Sequence, residues 1–310
     1  MSGIQDFAAG PGRNAVIMVY GLPDADKARP AVLELCGKLD ALVRSELNRF
    51  GDSGTGAVMA FGAGAWPRLF PAQPTPEELR VFEPIRGERH LAPSTPGDLF
   101  FHIRSERMDV CQELAGIVGR ILDGVAEPVD ETHGFKYFDS RAIIGFVDGT
   151  ENPAGDGRLE FASIGAPGSP IDGGSYVFIQ KYLHDLKGWD DLPVEEQEKA
   201  IGRRKFNDLE LDDEAKPKNA HNAVTNVKGP GGEELKIVRA NIAFANASKG
   251  EFGTYFLGYA GKFSTTRKML ENMFVGDPVG NTDRLLDFST AKTGTLFFAP
   301  SADFLGKLAE

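Results

Sequence analysis

The amino-acid sequence predicts an α+β fold made of two successive halves, each an antiparallel sheet covered by helices. Short apolar runs that are typical of strands alternate with longer segments whose apolar residues recur at helical spacing. The first half follows the order strand, helix, strand, strand, helix, strand, and the second half repeats that order more loosely. The length of 310 residues suits two domains of ordinary size.

The first half, residues 1–140, contains the clearer pattern. Apolar residues at helical spacing predict helices over 24–50 and 107–122. Residues 1–14 indicate a loose arm, and the stretch 66–96, rich in proline and charge, indicates a surface excursion. Strands are predicted at 15–20, 55–62, 98–103 and 132–138. This order is the split βαβ arrangement of a ferredoxin-like domain with an antiparallel sheet.

The second half, residues 141–310, predicts a second ferredoxin-like domain. The apolar run 141–147 is typical of a strand or its end, and a long polar insertion occupies 205–232. Ser264 is expected to cap the N-terminus of a helix. The remaining predicted elements are a strand at 174–184, a helix at 194–203 after Pro193, a strand at 251–260, a helix at 264–274 and a closing strand at 295–299.

Composition excludes several classes of protein. The net charge of -11 and the pI of about 5.1 argue against a nucleic-acid partner. Cys36 and Cys111 lie far apart in apolar helical patterns, which indicates buried thiols rather than a disulfide framework. No apolar run approaches the ~18 residues of a membrane span. The first residues have no basic start followed by an apolar core. We therefore expect a cytoplasmic protein with no membrane partner.

One stretch, IGFVDGTENP at 144–153, sets a carboxylate between two glycines just after an apolar run. Gly149 can take backbone angles closed to other residues, and Pro153 ends any strand pairing. Asp148 is therefore expected at the tip of a sharp turn, where the backbone directs its side chain. Asp-Gly is also a common turn dipeptide, and on that interpretation the carboxylate has no chemical role.

The histidines give no metal-binding pattern. Neither an HxxxH pair nor a cluster with cysteine occurs, so a zinc site has little support. A nucleotide-binding glycine fingerprint and a GxSxG elbow are also absent from the sequence. Lone histidines are usually surface residues or satisfied core residues. The five are His90, His102, His133, His184 and His221.

Three segments resemble those of the dye-decolorizing peroxidases, a family of haem enzymes. GFVDG at 145–149 resembles the family's GxxDG signature, and KPKNAHNA at 216–223 is similar to the segment that holds the proximal haem ligand in its B-type members. IVRAN at 237–241 resembles the segment of the distal arginine and asparagine. The similarity extends from Ala15 to Pro300, and it implies a fold of the dimeric α/β-barrel-like superfamily.

The resemblance implies a role for each matching residue. His221 would bind the iron of one haem b per chain, held in the second domain. Asp148 would move a proton between the oxygens of hydrogen peroxide, and Arg239 would stabilise the negative charge that builds as they separate. Asn241 would hold solvent or peroxide. Whether Asp148 or Arg239 matters more is left open.

Other residues would contact the cofactor. Arg203 matches an arginine that meets a haem propionate, but Arg204 stands where the family commonly has threonine, so which arginine reaches the carboxylate is open. Asp287 is a candidate acceptor for the second nitrogen of His221. The turn residues expected beside the haem are Gly149, Thr150 and Glu151.

The function implied by the resemblance is a haem-dependent peroxidase. It would reduce hydrogen peroxide to water and oxidise dyes, phenols or other small aromatic one-electron donors. It is expected to form a homo-oligomer, because families of this fold associate through sheet or helix faces. One alternative is a haem-binding protein that handles haem or releases its iron with little peroxidase turnover. Another is a binding or assembly module with no cofactor.

Overall fold

The computed structural model of the chain describes residues 3–155 and 157–309. What was predicted for residues 1, 2, 156 and 310 therefore lies outside the described residues. The strands are β1 Asn14–Gly21, β2 Gly56–Gly62, β3 Ile85–Arg86, β4 Leu91–Ala92, β5 Leu99–Ser105, β6 Glu127–Phe135, β7 Ser175–His184, β8 Val227–Lys228, β9 Glu234–Leu235, β10 Val238–Arg239, β11 Ile242–Asn246, β12 Glu251–Ala260, β13 Ser289–Ala291 and β14 Thr295–Ala299. The helices are α1 Ala25–Arg49, α2 Trp66–Leu69, α3 Met108–Leu122, α4 Gly157–Ala162, α5 Leu186–Asp190, α6 Val194–Ile201, α7 His221–Thr225, α8 Phe263–Phe274 and α9 Ala302–Leu308. Two 3₁₀ helices span Ala247–Lys249 and Arg284–Asp287.

Eight antiparallel strands close into one barrel. In the first half the order is β6-β1-β5-β2, and in the second half it is β11-β12-β7-β14. Each half therefore has the ferredoxin-like order, in which the first and third strands lie at the centre. The two sheets join where β2 pairs with β14 and β6 with β11. The predicted α+β fold with two ferredoxin-like halves is confirmed, and the boundary at residue 140 stays a prediction.

The barrel wall is apolar on both faces because both faces are covered. Along β1, Ile17 and Val19 point into the barrel, whereas Val16 and Met18 pack toward the outer helices. This is the alternation that the period of a strand requires. Outside, α1 and α3 cover the first sheet. Asp24 caps the N-terminus of α1, and its carboxylate accepts a hydrogen bond from the Lys27 amide.

The expected loose arm and the expected surface excursion are both fixed by buried side chains. In the N-terminal arm, Phe7 is buried inside the barrel and the Gln5 amide bonds the backbone of Met59 and Pro300. In the excursion over 66–96, Trp66 and Phe82 are buried in the outer core. The expectation of a surface excursion was wrong for these side chains, because prolines break regular structure without preventing burial.

Two local predictions were also wrong, and one strand was not predicted. Residues 141–147 form a tight loop rather than a strand: the Ala142 amide bonds the Phe146 carbonyl, and Gly145 has a φ of +91°. Lys262, not Ser264, takes the N-cap position of α8, and the Ser264 hydroxyl donates to Glu78 instead. Strand β11 was missed, because it follows the short segment of β10 with almost no break.

Candidate functional site

A cleft lies outside the barrel on the sheet of the second half. Its floor comes from β7 and β12, and α8 forms one wall. The loop 142–151, α7 and the segment 237–241 complete it. Most of its lining is apolar, including Ile144, Phe146, Ile201, Ile237, Phe256, Met269, Leu270, Met273, Leu285 and Leu286. A mostly apolar cleft with few polar groups is typical of a cofactor site.

A rigid turn places Asp148 in this cleft. The Asp148 amide donates to the Ser140 carbonyl at 2.9 Å, and Gly149 adopts a φ of +86°, which favours glycine. Behind the turn, the fully buried Trp189 donates its indole N–H to the Ile144 carbonyl at 3.0 Å. The Asp-Gly pair is thus a turn, as the simpler interpretation held, and the turn directs a half-buried carboxylate into the cleft.

Arg239 and Asn241 line the same cleft as Asp148. Arg239 lies on β10, which pairs with β12, and Asn241 follows two residues later. The Asn241 side-chain amide donates to Asp148 Oδ1 at 3.3 Å. Its Oδ1 is buried and has no hydrogen-bond partner in the described part of the chain. A buried acceptor without a partner indicates that a ligand or water is to be bound there.

His221, the first residue of α7, lines the same cleft. Its Nδ1 lies 2.7 Å from Oδ2 of Asp283, which is fully buried. The other Asp283 oxygen accepts the Leu285 amide at 2.9 Å. A buried carboxylate on Nδ1 fixes that nitrogen as the donor and leaves Nε2 as a basic lone pair. Nε2 has no protein partner among the described residues, so it is available to a metal.

The prediction that Asp287 accepts from His221 was wrong. Asp287 instead binds Arg89 at 2.9 Å, with His90 and Arg284 also in contact, and it does not line the cleft. The two aspartates lie at opposite ends of one 3₁₀ turn, so their side chains leave the backbone in different directions. The sequence contains both carboxylates and has no signal that separates them.

Arg203, not Arg204, faces the cleft. The side chain of Arg203 is 14% exposed, and it binds Glu151 at 2.7 Å and Asp208 at 3.0 Å. Arg204 is exposed and pairs with Glu198. The αL conformation of Gly202, with a φ of +90°, ends α6 and turns the chain so that these neighbouring arginines point apart. The structure also brings Gly149, Thr150 and Glu151 to the cleft.

Two cleft residues on β7 were missed by the sequence analysis. His184 bonds Ser289 and Thr254, and burial lowers its pKa to about 4, so it is neutral near pH 7. Tyr182 lies on the same face, and burial raises the pKa of its hydroxyl. Their spacing of two residues on a strand was the signal that could have found them. His90, His102 and His133 do not line the cleft.

The donor set fits a haem better than a bare metal ion. In residues 3–155 and 157–309, no group of three or more His, Cys, Asp or Glu side chains is placed to hold a metal ion. One imidazole with a free Nε2 can bind a metal whose other ligands come from a porphyrin. The mostly apolar lining suits the apolar ring of a porphyrin, and Arg203 would offer a cation to its carboxylates. Cys36 and Cys111 are free and buried, as expected, and this burial raises the pKa of each thiol to about 12.

Comparison with known proteins matches two family models over most of the chain. The model described as Dyp-type peroxidase, N-terminal, matches residues 14–136, and that described as Dyp-type peroxidase, C-terminal, matches residues 139–304. A dye-decolorizing peroxidase of Mycobacterium tuberculosis is 50% identical over 94% of this chain and 86% of its own length. One of Rhodococcus erythropolis is 47% identical over 94% of this chain and 84% of its own length.

Solved structures that are similar to this chain come from the same family. A dye-decolorizing peroxidase of Bacteroides thetaiotaomicron has a TM-score of 0.95 and 58% identity, covering 99% of this chain and 98% of that chain. A variant of DypB from Rhodococcus jostii RHA1, in complex with haem, has a TM-score of 0.94 and 44% identity, covering 98% of each chain. An encapsulated DyP-type peroxidase of Mycobacterium smegmatis has a TM-score of 0.94 and 48% identity, covering 99% of this chain and 98% of that chain.

Proposed function

The chain belongs to the Dyp-type peroxidase family, and from this premise we propose that its cleft binds one haem b and reduces hydrogen peroxide to water while oxidising small aromatic one-electron donors such as dyes and phenols. The observation that carries the proposal is one cleft whose lining includes an imidazole with a free Nε2, a carboxylate and a guanidinium. A protein that only handled haem or released its iron would need no such acid and cation. Family membership favours the peroxidase over that hypothesis and over a module without cofactor.

Two groups would hold the haem. His221 Nε2 would bind the iron, with Asp283 fixing the tautomer through Nδ1. Arg203 would bind a propionate, and its present partner Glu151 is itself a carboxylate on an exposed residue, which a propionate can replace. When bound, the haem supplies the redox chemistry, and the protein supplies position and charge.

The distal residues act on the peroxide itself. Asp148 takes a proton from one peroxide oxygen and returns it to the other, so that water can leave. Arg239 stabilises the negative charge on the departing oxygen in a cleft partly closed to water. Asn241 binds Asp148 through its amide N–H, and its free Oδ1 can accept a hydrogen bond from peroxide. The turn residues Gly149 and Thr150 line this cleft and would lie beside the haem.

Stopped-flow measurement of peroxide reaction tests these roles. We expect Asp148→Ala and Arg239→Leu to bind haem normally and to react about 10²-fold or more slowly. Asp139→Ala is the matched control, because Asp139 is an exposed carboxylate in the same loop region and does not line the cleft. Unchanged rates in both cleft variants, with an intact haem spectrum, would refute the assignment. His221→Ala should alter the haem absorption spectrum.

We also propose a cytoplasmic homo-oligomer that binds neither membrane nor nucleic acid. The net charge of -11 would repel a phosphate backbone. No helix in the described part of the chain is long and apolar enough to cross a bilayer. Three large apolar side chains are 63–79% exposed on neighbouring loops and would be covered by a second copy: Phe138, Phe206 and Leu209. Light scattering during gel filtration tests the oligomer, and a monomeric mass would refute it.

A further inference from the structure

The side chain of Asn152 forms hydrogen bonds with both the backbone N–H and the backbone C=O of Arg239, as the backbone of a neighbouring strand would. Its Nδ2 donates to the Arg239 carbonyl at 2.8 Å, and its Oδ1 accepts from the Arg239 amide at 2.8 Å. Strand β10 pairs with β12 on its other side, where the Ala240 amide bonds Leu257. Arg239 lies at the outer edge of this sheet, so without Asn152 its N–H and C=O would have no protein partner there.

Asn152 also belongs to the turn that carries Asp148. Its backbone amide donates to the Gly149 carbonyl at 3.0 Å, which closes the turn immediately after Asp148. One residue therefore connects the acid and the arginine, which are 91 positions apart in the sequence (239 minus 148). The direct contact between these segments through Asn241 is longer, at 3.3 Å. The paired 2.8 Å bonds are thus the tighter connection between the two.

We propose that Asn152 is a positioning residue that sets the separation between the Asp148 carboxylate and the Arg239 guanidinium. This inference rests on the proposed function. Only a carboxamide of this length can form both hydrogen bonds to the Arg239 backbone, because aspartate has no donor for the Arg239 carbonyl and glutamine is one methylene longer. A second cavity also reaches Asn152, so water can enter when the amide is removed and the two segments can move apart.

The first experiment uses the apoprotein and follows hydrogen exchange at the Arg239 amide. Asn152→Ala is expected to speed exchange there by about tenfold, which corresponds to the loss of one ordinary hydrogen bond. The matched control is Asn14→Ala, because the Asn14 amide also joins separate segments, through the carbonyls of Ser105 and Glu106. Unchanged exchange at Arg239 in Asn152→Ala would overturn the proposal. Should Asn152→Ala not fold, Asn152→Asp has the same shape and keeps one of the two bonds.

The second experiment uses the haem-loaded protein and measures fluoride affinity and the rate of reaction with peroxide. Fluoride binds ferric haem and accepts hydrogen bonds, so its affinity reports the position of the Arg239 guanidinium. We expect Asn152→Ala to lower both quantities by about tenfold to a hundredfold, as misplacement by about 1 Å does in other enzymes. Because Asn152 acts through Arg239, the double variant with Arg239→Leu should lose little more than Arg239→Leu alone.

The outcomes separate this proposal from the function on which it rests. Loss in Arg239→Leu without loss in Asn152→Ala overturns the positioning role and leaves the proposed function standing. Fully additive losses in the double variant also overturn it, since they show that Asn152 acts independently of Arg239. No loss in either variant overturns the positioning role and the role of Arg239, and it overturns the proposed function as well when Asp148→Ala also reacts at the unmodified rate. Non-additive losses together with faster exchange at the Arg239 amide support the positioning role.

Discussion

Replacing Asp283 with asparagine should break one of the two hydrogen bonds that its buried carboxylate makes. One oxygen binds His221 Nδ1 at 2.7 Å, and the other accepts the Leu285 amide at 2.9 Å. An asparagine has a single oxygen and can accept only one of them. If that oxygen stays with Leu285, the NH₂ group faces His221 and requires an acceptor at Nδ1. The imidazole must then carry its proton on Nε2, the atom needed for the iron.

The size of the effect follows from this contact. A hydrogen bond to a charged group contributes about 1.5–3 kcal/mol. At about 1.4 kcal/mol per factor of ten, the affinity of His221 for haem iron should fall about 10–100-fold. That range agrees with the roughly 10–100-fold losses seen when the partner of a metal-bound histidine is removed. The protein fold should survive, because the bond to Leu285 is retained.

Titration of the apoprotein with haem, followed by visible absorption, measures this affinity directly. Asp287→Asn is the matched control, since Asp287 lies on the same 3₁₀ turn and binds Arg89 and Arg284 rather than His221. It should leave the affinity and the haem spectrum unchanged. Equal affinities for Asp283→Asn and the unmodified protein would show that Asp283 does not control the tautomer. A larger loss in Asp287→Asn would contradict the geometry of the cleft.

Two further predictions concern the barrel. Burial lowers the pKa of His102 to about 3 from 6.5, so as pH falls below 6.5 the unfolded chain takes up a proton that the folded protein does not. His102 should therefore lower the free energy of unfolding by about 2 kcal/mol at pH 5. Urea titration should show that His102→Gln loses about that much less stability on acidification than the unmodified protein. If the unfolding free energies of the two proteins changed equally with pH, the prediction would be contradicted. At Gly253, an added Cβ would lie 2.1 Å from the Tyr182 carbonyl oxygen, so Gly253→Ala should destabilise the barrel by about 1–3 kcal/mol. Thermal melts test it against Gly165→Ala, where an added Cβ would meet no heavy atom within 4 Å beyond its chain neighbours, and equal melting temperatures would refute the clash.

Patterns within short stretches of sequence were enough to predict the elements and the main candidates. Helical and strand periodicity predicted α1, α3 and most long strands, because each pattern reflects which face of one element is buried. The turn at Asp148 was predicted from its glycines, and the order of the Asp148, His221 and Arg239 segments pointed to the family. The loop at 141–147 was misassigned because its apolar residues pack on Trp189 rather than in a sheet.

Contacts between distant segments decided the rest. Closure of the barrel depends on strand edges that meet only after both halves fold, β2 with β14 and β6 with β11. The choice of Asp283 over Asp287 depends on the direction in which one turn points each carboxylate. The link from Asn152 to Arg239 joins residues 87 positions apart. Such choices have no local signature, because the same side chains could bind other partners until the tertiary structure sets their distances and directions.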